Sequence, residues 1–441
     1  MAASGRGRRV ATRDFILELD RFAVAGSLGE GLARLAGRSV LLAVGDMAKA
    51  AAALIDLDGV AGQIVLCPPG ADAAALAALA RASAADALVY DSDAPAPEIG
   101  IATRVACRLP LTPLAAPRTA RFITEWAMPT SGTSGPPKLV AHTLATLTAA
   151  FHPVAGQRWA TFYDIRRYGG LQILLRALTG AESLTLSDPR EGVDAFLARL
   201  GEAGATHISG TPSHWRKVLM SGEARRIAPQ RVRLSGEIAD DSVIAGLRAL
   251  YPGAYVEHAY ASTEAGVAFV VSDGRAGFPA SLIREDAEVA LRVVDDVLHV
   301  RSNRAALRYL GAGAPALKDS DGFVDTGDVV ALSGDRYLFV GRRGGIINVG
   351  GAKVHPEEVE AALNAHAAVR ASRVFARKSP ITGALVAAEI VLRDGAAADE
   401  ATKRDILAAC RAALPAYKAP SFLSFVAELP MTDGGKLARH G

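Results

Sequence analysis

Twice along this chain, short β-branched runs alternate with alanine- and leucine-rich stretches of helical period, and that rhythm leaves few folds open. In the first instance residues 40–44, 63–67 and 87–90 read as strands, with helices at 47–55 and 74–81. The second places strands at 159–163, 183–186, 206–209, 231–235 and 254–258, separated by helices at 170–178, 193–200, 213–220 and 240–250. A helix between successive strands is the crossover that parallel neighbours need, so the pattern predicts parallel-type sheets. After Ser262 the grammar changes to hairpins, with strands at 267–271, 287–293, 297–302 and 337–340 and a turn at Val294-Asp295-Asp296. Beyond Gly344-Gly345 a separate pattern begins, with helices at 357–364 and 403–414 and strands at 371–376 and 384–392. The expected fold class is α/β: a large N-terminal α/β body (residues 1–343) with a β-rich subdomain, and a small mobile α+β domain (344–441).

The 441 residues suffice for more than one domain and a large core. Their 49 basic and 46 acidic side chains nearly cancel, which argues against a nucleic-acid partner. Cys67, Cys107 and Cys410 lie too far apart for metal-ligand spacing and read as buried thiols of a reducing, cytoplasmic compartment. No membrane span is expected, because Asp46, Lys49 and Asp56 interrupt the most apolar region. Arg6, Arg8, Arg9 and Arg13 precede no uninterrupted apolar segment of the kind a signal peptide requires, and suggest a flexible basic tail.

Residues 130–138 read Thr-Ser-Gly-Thr-Ser-Gly-Pro-Pro-Lys between two apolar segments, a layout that predicts strand, hydroxyl-rich turn and strand. Gly132 and Gly135 let the backbone approach a bulky anion; Thr130, Ser131, Thr133 and Ser134 offer donors, and Lys138 adds positive charge. It is not a Walker-type loop, which needs Gly before the lysine and Ser or Thr after it; Pro137 and Leu139 stand there. Taken alone, the segment also fits a Ser/Gly/Pro surface loop.

Further motifs follow in order: Tyr260-Ala261-Ser262-Thr263-Glu264, Phe323-Val324-Asp325-Thr326-Gly327-Asp328, Gly341-Arg342-Arg343-Gly344-Gly345, Asn348-Val349-Gly350-Gly351-Ala352-Lys353, and Pro430-Met431-Thr432-Asp433-Gly434-Gly435-Lys436. As an ordered set from Thr130 to Arg439, they resemble the adenylate-forming superfamily of acyl- and aryl-CoA synthetases, peptide-synthetase adenylation domains and beetle luciferases.

The resemblance implies ATP-dependent activation of a small carboxylic acid as an acyl-adenylate, followed by transfer to a thiol, with CoA foremost. A carrier protein, an amine acceptor, or a nucleotide-binding homologue without catalysis remain the alternatives. It further implies that residues 130–138 hold the β- and γ-phosphates, that Glu264 and Thr133 serve Mg²⁺, and that Tyr260 packs on adenine. Asp328 would bind the ribose hydroxyls, Arg342 the ribose or a phosphate, and Ser235, Gly236, Glu237 and Thr263 would complete the nucleotide side. Lys436 would reach the forming bond between carboxylate and α-phosphate. Gly344 stands at the hinge, where most of the family has Asp or Lys, and Gly350 and Gly351 would line a pantetheine tunnel.

For the acid, the candidates are Tyr163, Asp164, Arg167, Gly170, His207 and Ala261. Asp164 or an arginine beside it could recognise a polar group, and a charged surface turn fits that stretch equally well. Ala261, in place of the usual glycine, would shorten the pocket. His207 reads more readily as a packed histidine than as a base.

Overall fold

The computed structural model describes residues 7–130, 138–152, 154–180, 183–349, 352–379 and 383–430. The first alternation builds a seven-stranded sheet in the order Arg308–Leu310, Leu139–Thr143, Glu125–Pro129, Gln63–Leu66, Ser39–Ala43, Ala87–Asp91, Thr103–Cys107. The five strands from Glu125–Pro129 onward run parallel, and the other two are added antiparallel at one edge. Helix Met47–Leu57 starts where the Asp46 side chain accepts the Lys49 N–H. Its alanines are buried on every side, because the helix lies in a core shared with helix Tyr168–Thr179 and strand Ser183–Leu186. A helix buried on nearly every side needs such a position.

The second alternation builds an eight-stranded sheet: Gly266–Val271, Tyr255–Ser262, Arg231–Ser235, His207–Gly210, Arg158–Thr161, Ser183–Leu186, Arg9–Ala11, Ile16–Glu18. Here the reading of the basic N-terminal segment as a flexible tail is corrected from residue 7 onward. Arg9–Ala11 pairs in parallel with Ser183–Thr185, and Arg8 donates to the Ala177 carbonyl at 2.6 Å. A three-residue strand held by partners over 160 residues away leaves no periodic signal of its own.

Five antiparallel strands form the β-rich subdomain. Val294 pairs with Val297, and Asp295 and Asp296 between them both have positive φ (49° and 62°), as a type I′ hairpin turn requires. The last sheet comprises Ile347–Val349, Ala352–Val354, Val369–Ser379, Gly383–Leu392 and Phe422–Phe425, with helices Pro356–Asn364 and Glu400–Ala413 and a core of its own. Strand pairing passes from one sheet to the next between Arg342 and Ile347, where Arg343–Gly345 makes a short 3₁₀ turn.

The three cysteines are buried and unpaired. No helix among the described residues is long and apolar enough to cross a membrane.

Candidate active site

In open parallel sheets, loops at the carboxyl ends of the strands gather into a ligand-sized crevice. Tyr163, Ser213, Ser235, Gly236, Ala261 and Thr263, all at or beyond such ends of the eight-stranded sheet, line one cleft of about 2020 Å³. Pro129, Asp328, Arg342 and residues of the last sheet complete its walls.

The hairpin of the hydroxyl-rich segment opens beside this cleft. Pro129 and Leu139 are cross-strand partners, and the Thr130 N–H donates to the Lys138 carbonyl at 2.8 Å. The pairing brings the two flanking strands side by side, as the sequence predicts. Ser131, Gly132, Thr133, Ser134 and Gly135 lie outside the described residues. Lys138 Nζ stands 5.0 Å from the centroid of the Tyr309 ring, on the neighbouring edge strand.

His142, which the sequence reading did not single out, ties this hairpin to the Tyr260–Glu264 motif. Its Nε2 is 2.7 Å from the Thr263 carbonyl oxygen, and Nδ1 is 2.9 Å from Thr146 Oγ1. A carbonyl can only accept, so Nε2 carries the proton. Burial, with Lys318 nearby, holds the imidazole pKa down at about 4. A base whose folded pKa lies below its unfolded value of 6.5 contributes stability above 6.5 that is lost as the pH falls towards 4. The melting temperature is therefore expected to drop across that window, and less steeply in His142→Gln. An unchanged slope in the variant would refute the assignment.

Next to His142, the residues expected on the nucleotide side converge. The Tyr260 hydroxyl donates to Asp328 Oδ2 at 2.5 Å, and Arg342 Nε donates to Oδ1 at 2.8 Å. Asp328 and Arg342 are cross-strand partners, and Arg342 also donates to the Thr326 carbonyl. Burial and the Asp328 charge raise the Tyr260 pKa, so its hydroxyl stays a donor. The Tyr260 ring stacks near Phe269 and Phe339, with centroids 5.3 and 5.0 Å away. Glu264 is governed by the same charges: burial raises its pKa, Arg342 and Lys138 pull it down, and Asp328 raises it again. Among the described residues no three His, Cys, Asp or Glu side chains group as a metal cage. A lone part-buried carboxylate fits a hard cation held chiefly by phosphate oxygens.

On the other wall, the Tyr163 hydroxyl donates to the Ser235 carbonyl at 2.7 Å, and Glu237 accepts the Ser213 N–H at 2.9 Å. Gly170 is required sterically, because a Cβ there would run into the Asp164 carbonyl oxygen. Asp164 is already engaged. Arg166 Nε and Nη2 grip both its oxygens at 2.8 and 2.5 Å, while Arg166 Nη1 donates to the Val44 and Gly45 carbonyls, each at 2.8 Å. That commits Asp164 to the loop, and only Arg167 of the adjacent pair lines the cleft.

His207 is the candidate that the structure does not bring to the site. It sits at the amino end of strand His207–Gly210, beside Trp159 and 2.9 Å from Thr206 Oγ1, and is absent from the cleft wall. Burial and the neighbouring arginines keep its pKa at about 4. It is a packed histidine.

From the smaller domain, Gly344, Gly345, Glu357 and Arg373 line the cleft. The two parts touch at Gly341, where an added Cβ would meet Glu357 Oε2 at 2.5 Å and His355 Nδ1 at 3.0 Å. Gly350, Gly351 and Lys436 lie outside the described residues.

Fold and cleft together define a two-part α/β protein with a ligand-sized cleft at the carboxyl ends of its larger sheet. The chain belongs to the AMP-binding enzyme family, which matches residues 31–301, with the AMP-binding enzyme C-terminal domain matching 358–436. Among curated proteins it is 29% identical over 342 residues to isonitrile lipopeptide synthase of Streptomyces coeruleorubidus, covering 70% of this chain and 23% of that protein. It is 27% identical over 349 residues to the mitochondrial acyl-coenzyme A synthetase ACSM4 of Rattus norvegicus, covering 70% and 59%. The chain thus spans less than two thirds of the length of these relatives. Two solved structures share the fold. A point variant of E. coli MenE with bound OSB-AMS has a TM-score of 0.78 at 20% identity, covering 98% of this chain and 94% of that one. The anthranilate CoA ligase AuaEII with anthranoyl-AMP has a TM-score of 0.76 at 18% identity, covering 98% and 92%.

Proposed function

We propose that this AMP-binding enzyme is an AMP-forming acid–thiol ligase that joins a small carboxylic acid to AMP at the expense of ATP and passes the acyl group to CoA. The observation that carries this reading is the gathering of Tyr260, Asp328, Arg342 and Glu264 at one cleft beside the hairpin end at Pro129, with Lys138 close enough to act on the Glu264 charge. A carboxylate does not acylate a thiol at neutral pH, because oxide is a very poor leaving group. One carboxylate oxygen attacks the α-phosphorus, the bond to the bridging oxygen breaks, and pyrophosphate leaves. Charge builds on the phosphoryl oxygens, so catalysis rests on positioning and fixed positive charge.

In this scheme Asp328 takes up the ribose hydroxyls. A carboxylate has about four acceptor sites, and Tyr260 and Arg342 leave room for two more donors. Lys138 and residues 131–137 grip the triphosphate, and Lys436 approaches the reacting oxygens. Ser235, Gly236, Glu237 and Thr263 flank the nucleotide. Mg²⁺, when bound, neutralises phosphate charge, and Glu264 with Thr133 would hold it. Rotation about Gly344 would then exchange Lys436 for the Gly350–Gly351 face and admit pantetheine.

The test is exchange of labelled pyrophosphate into ATP across a panel of acids. Acid-dependent exchange is expected for at least one chemical group of the panel, and its complete absence would remove the adenylation reading. Offering CoA, an acyl carrier protein or an amine to the active pair and weighing the product then decides the acceptor.

A further inference from the structure

Most charged groups around the cleft have a partner. Asp164 is gripped by Arg166, Asp240 by Arg216, Asp328 by Arg342 and Glu389 by Arg373. Lys217 has no side-chain partner among the described residues but is exposed, so water satisfies it. Arg167 is different. It is partly buried and lines the cleft, yet its side chain has no hydrogen bond or ion pair among the described residues, and its Nε is shut off from solvent without an acceptor. Its backbone is fixed: the N–H donates to the Asp164 carbonyl at 3.1 Å, and its carbonyl accepts the Leu171 N–H at 2.9 Å as helix Tyr168–Thr179 begins.

We infer that Arg167 is a specificity-determining residue, and that the preferred acid carries a second anionic group, such as a further carboxylate, which pairs with it. The inference rests on the adenylation reading above and names the substrate class of that site. A part-buried guanidinium without an anion is costly unless a ligand completes it. Its planar fork matches a carboxylate better than any neutral group does. Asp164 does not compete for it, since both carboxylate oxygens are held by Arg166. The carboxylate to be activated is a poor occupant: a fork binding both its oxygens would withdraw the lone pairs that must attack phosphorus. A second anionic group satisfies Arg167 and leaves the first free. Tyr163, Tyr168 and Ala261 on the same wall offer surface for a compact carbon skeleton between the two.

The test is pyrophosphate exchange with matched pairs, succinate, glutarate and phthalate each against its own monoamide, in wild type, Arg167→Gln and Arg167→Lys. In wild type at least one diacid is expected to exceed its monoamide in kcat/KM by about 30-fold or more, chiefly through KM. That ratio should fall to within about threefold in Arg167→Gln and lie between the two in Arg167→Lys, because lysine keeps the charge and loses the fork. A ratio compares two substrates on the same folded protein, so partial loss of fold leaves it unmoved; Arg167→Lys serves if the glutamine variant does not fold. No diacid preference in wild type, or a preference that survives Arg167→Gln, overturns the inference while exchange itself still upholds adenylation. No exchange with any acid overturns both.

Discussion

Replacing Asp328 by alanine is expected to lower acid-dependent pyrophosphate exchange on the order of 100-fold or more, and to destabilise the fold as well. One carboxylate there serves two part-buried partners: the Tyr260 hydroxyl at 2.5 Å and Arg342 Nε at 2.8 Å. Alanine removes the proposed ribose acceptor and strands both donors. Breaking a buried pair from one side costs about 3–5 kcal/mol; the Arg342 side chain is 32% exposed, so water recovers part of that and about 2 kcal/mol remains. Asparagine separates the two effects. Its oxygen can still face Arg342 while its amide meets a Tyr260 hydroxyl that turns round to accept. Asp328→Asn should therefore melt close to wild type yet still show a raised KM for ATP. Exchange kinetics with ATP as the varied substrate, alongside a thermal melt, distinguish these outcomes. A normal KM for ATP in Asp328→Asn would refute the ribose assignment.

The second large effect concerns stability alone. Asp56→Ala is expected to cost about 3–5 kcal/mol, measured by urea unfolding. Asp56 is fully buried on helix Met47–Leu57, and its Oδ2 accepts from Ser27 N–H, Ser27 Oγ–H and Leu28 N–H at 2.6, 2.7 and 3.3 Å. Its Oδ1 stands 3.2 Å from Arg118, which also donates to the Phe22 and Ala25 carbonyls. Asp56 and Arg118 together thus fix the segment Phe22–Leu28 to the helix, and loss of Asp56 leaves two backbone N–H groups without an acceptor and the guanidinium without its counter-charge. Burial outweighs Arg118 and raises the Asp56 pKa, so a neutral isostere is the gentler change. Asp56→Asn should cost clearly less than Asp56→Ala. A loss below about 1 kcal/mol for alanine would contradict this account.

These two aspartates mark what could and could not be read in advance. Asp328 was legible because it stands in a motif whose order along the chain implies a nucleotide site. Asp56 was noticed only as a charge interrupting an apolar stretch, since nothing local says that Ser27 and Arg118 will surround it. The alternating elements were legible within a few residues: strand 183–186 and helix 193–200 were expected where Ser183–Leu186 and Val193–Glu202 stand. Two-residue periodicity puts His207 and Ser209 on one face, but it does not tell the amino end of a strand from the carboxyl end. The amino end of that strand lies away from the cleft, and His207 packs there beside Trp159. Adjacent Arg166 and Arg167 look alike in sequence, and only the fold shows that one is consumed by Asp164 and the backbone while the other faces the cleft.

Arg166 also bears on how the molecule can move. One guanidinium, 3% exposed, bonds to the Val44 and Gly45 carbonyls at the end of one parallel sheet and to Asp164 just beyond a strand of the other. It acts as a rivet between the two layers at the edge where the cleft opens. Sliding one sheet past the other would carry Arg166 and Asp164 along together and strip the buried guanidinium of the Val44 and Gly45 carbonyls, so that degree of freedom is stiff. The larger body then behaves as a fixed anvil. In the proposed cycle the rotation would fall to the smaller part, through the few backbone dihedrals between Arg342 and Ile347.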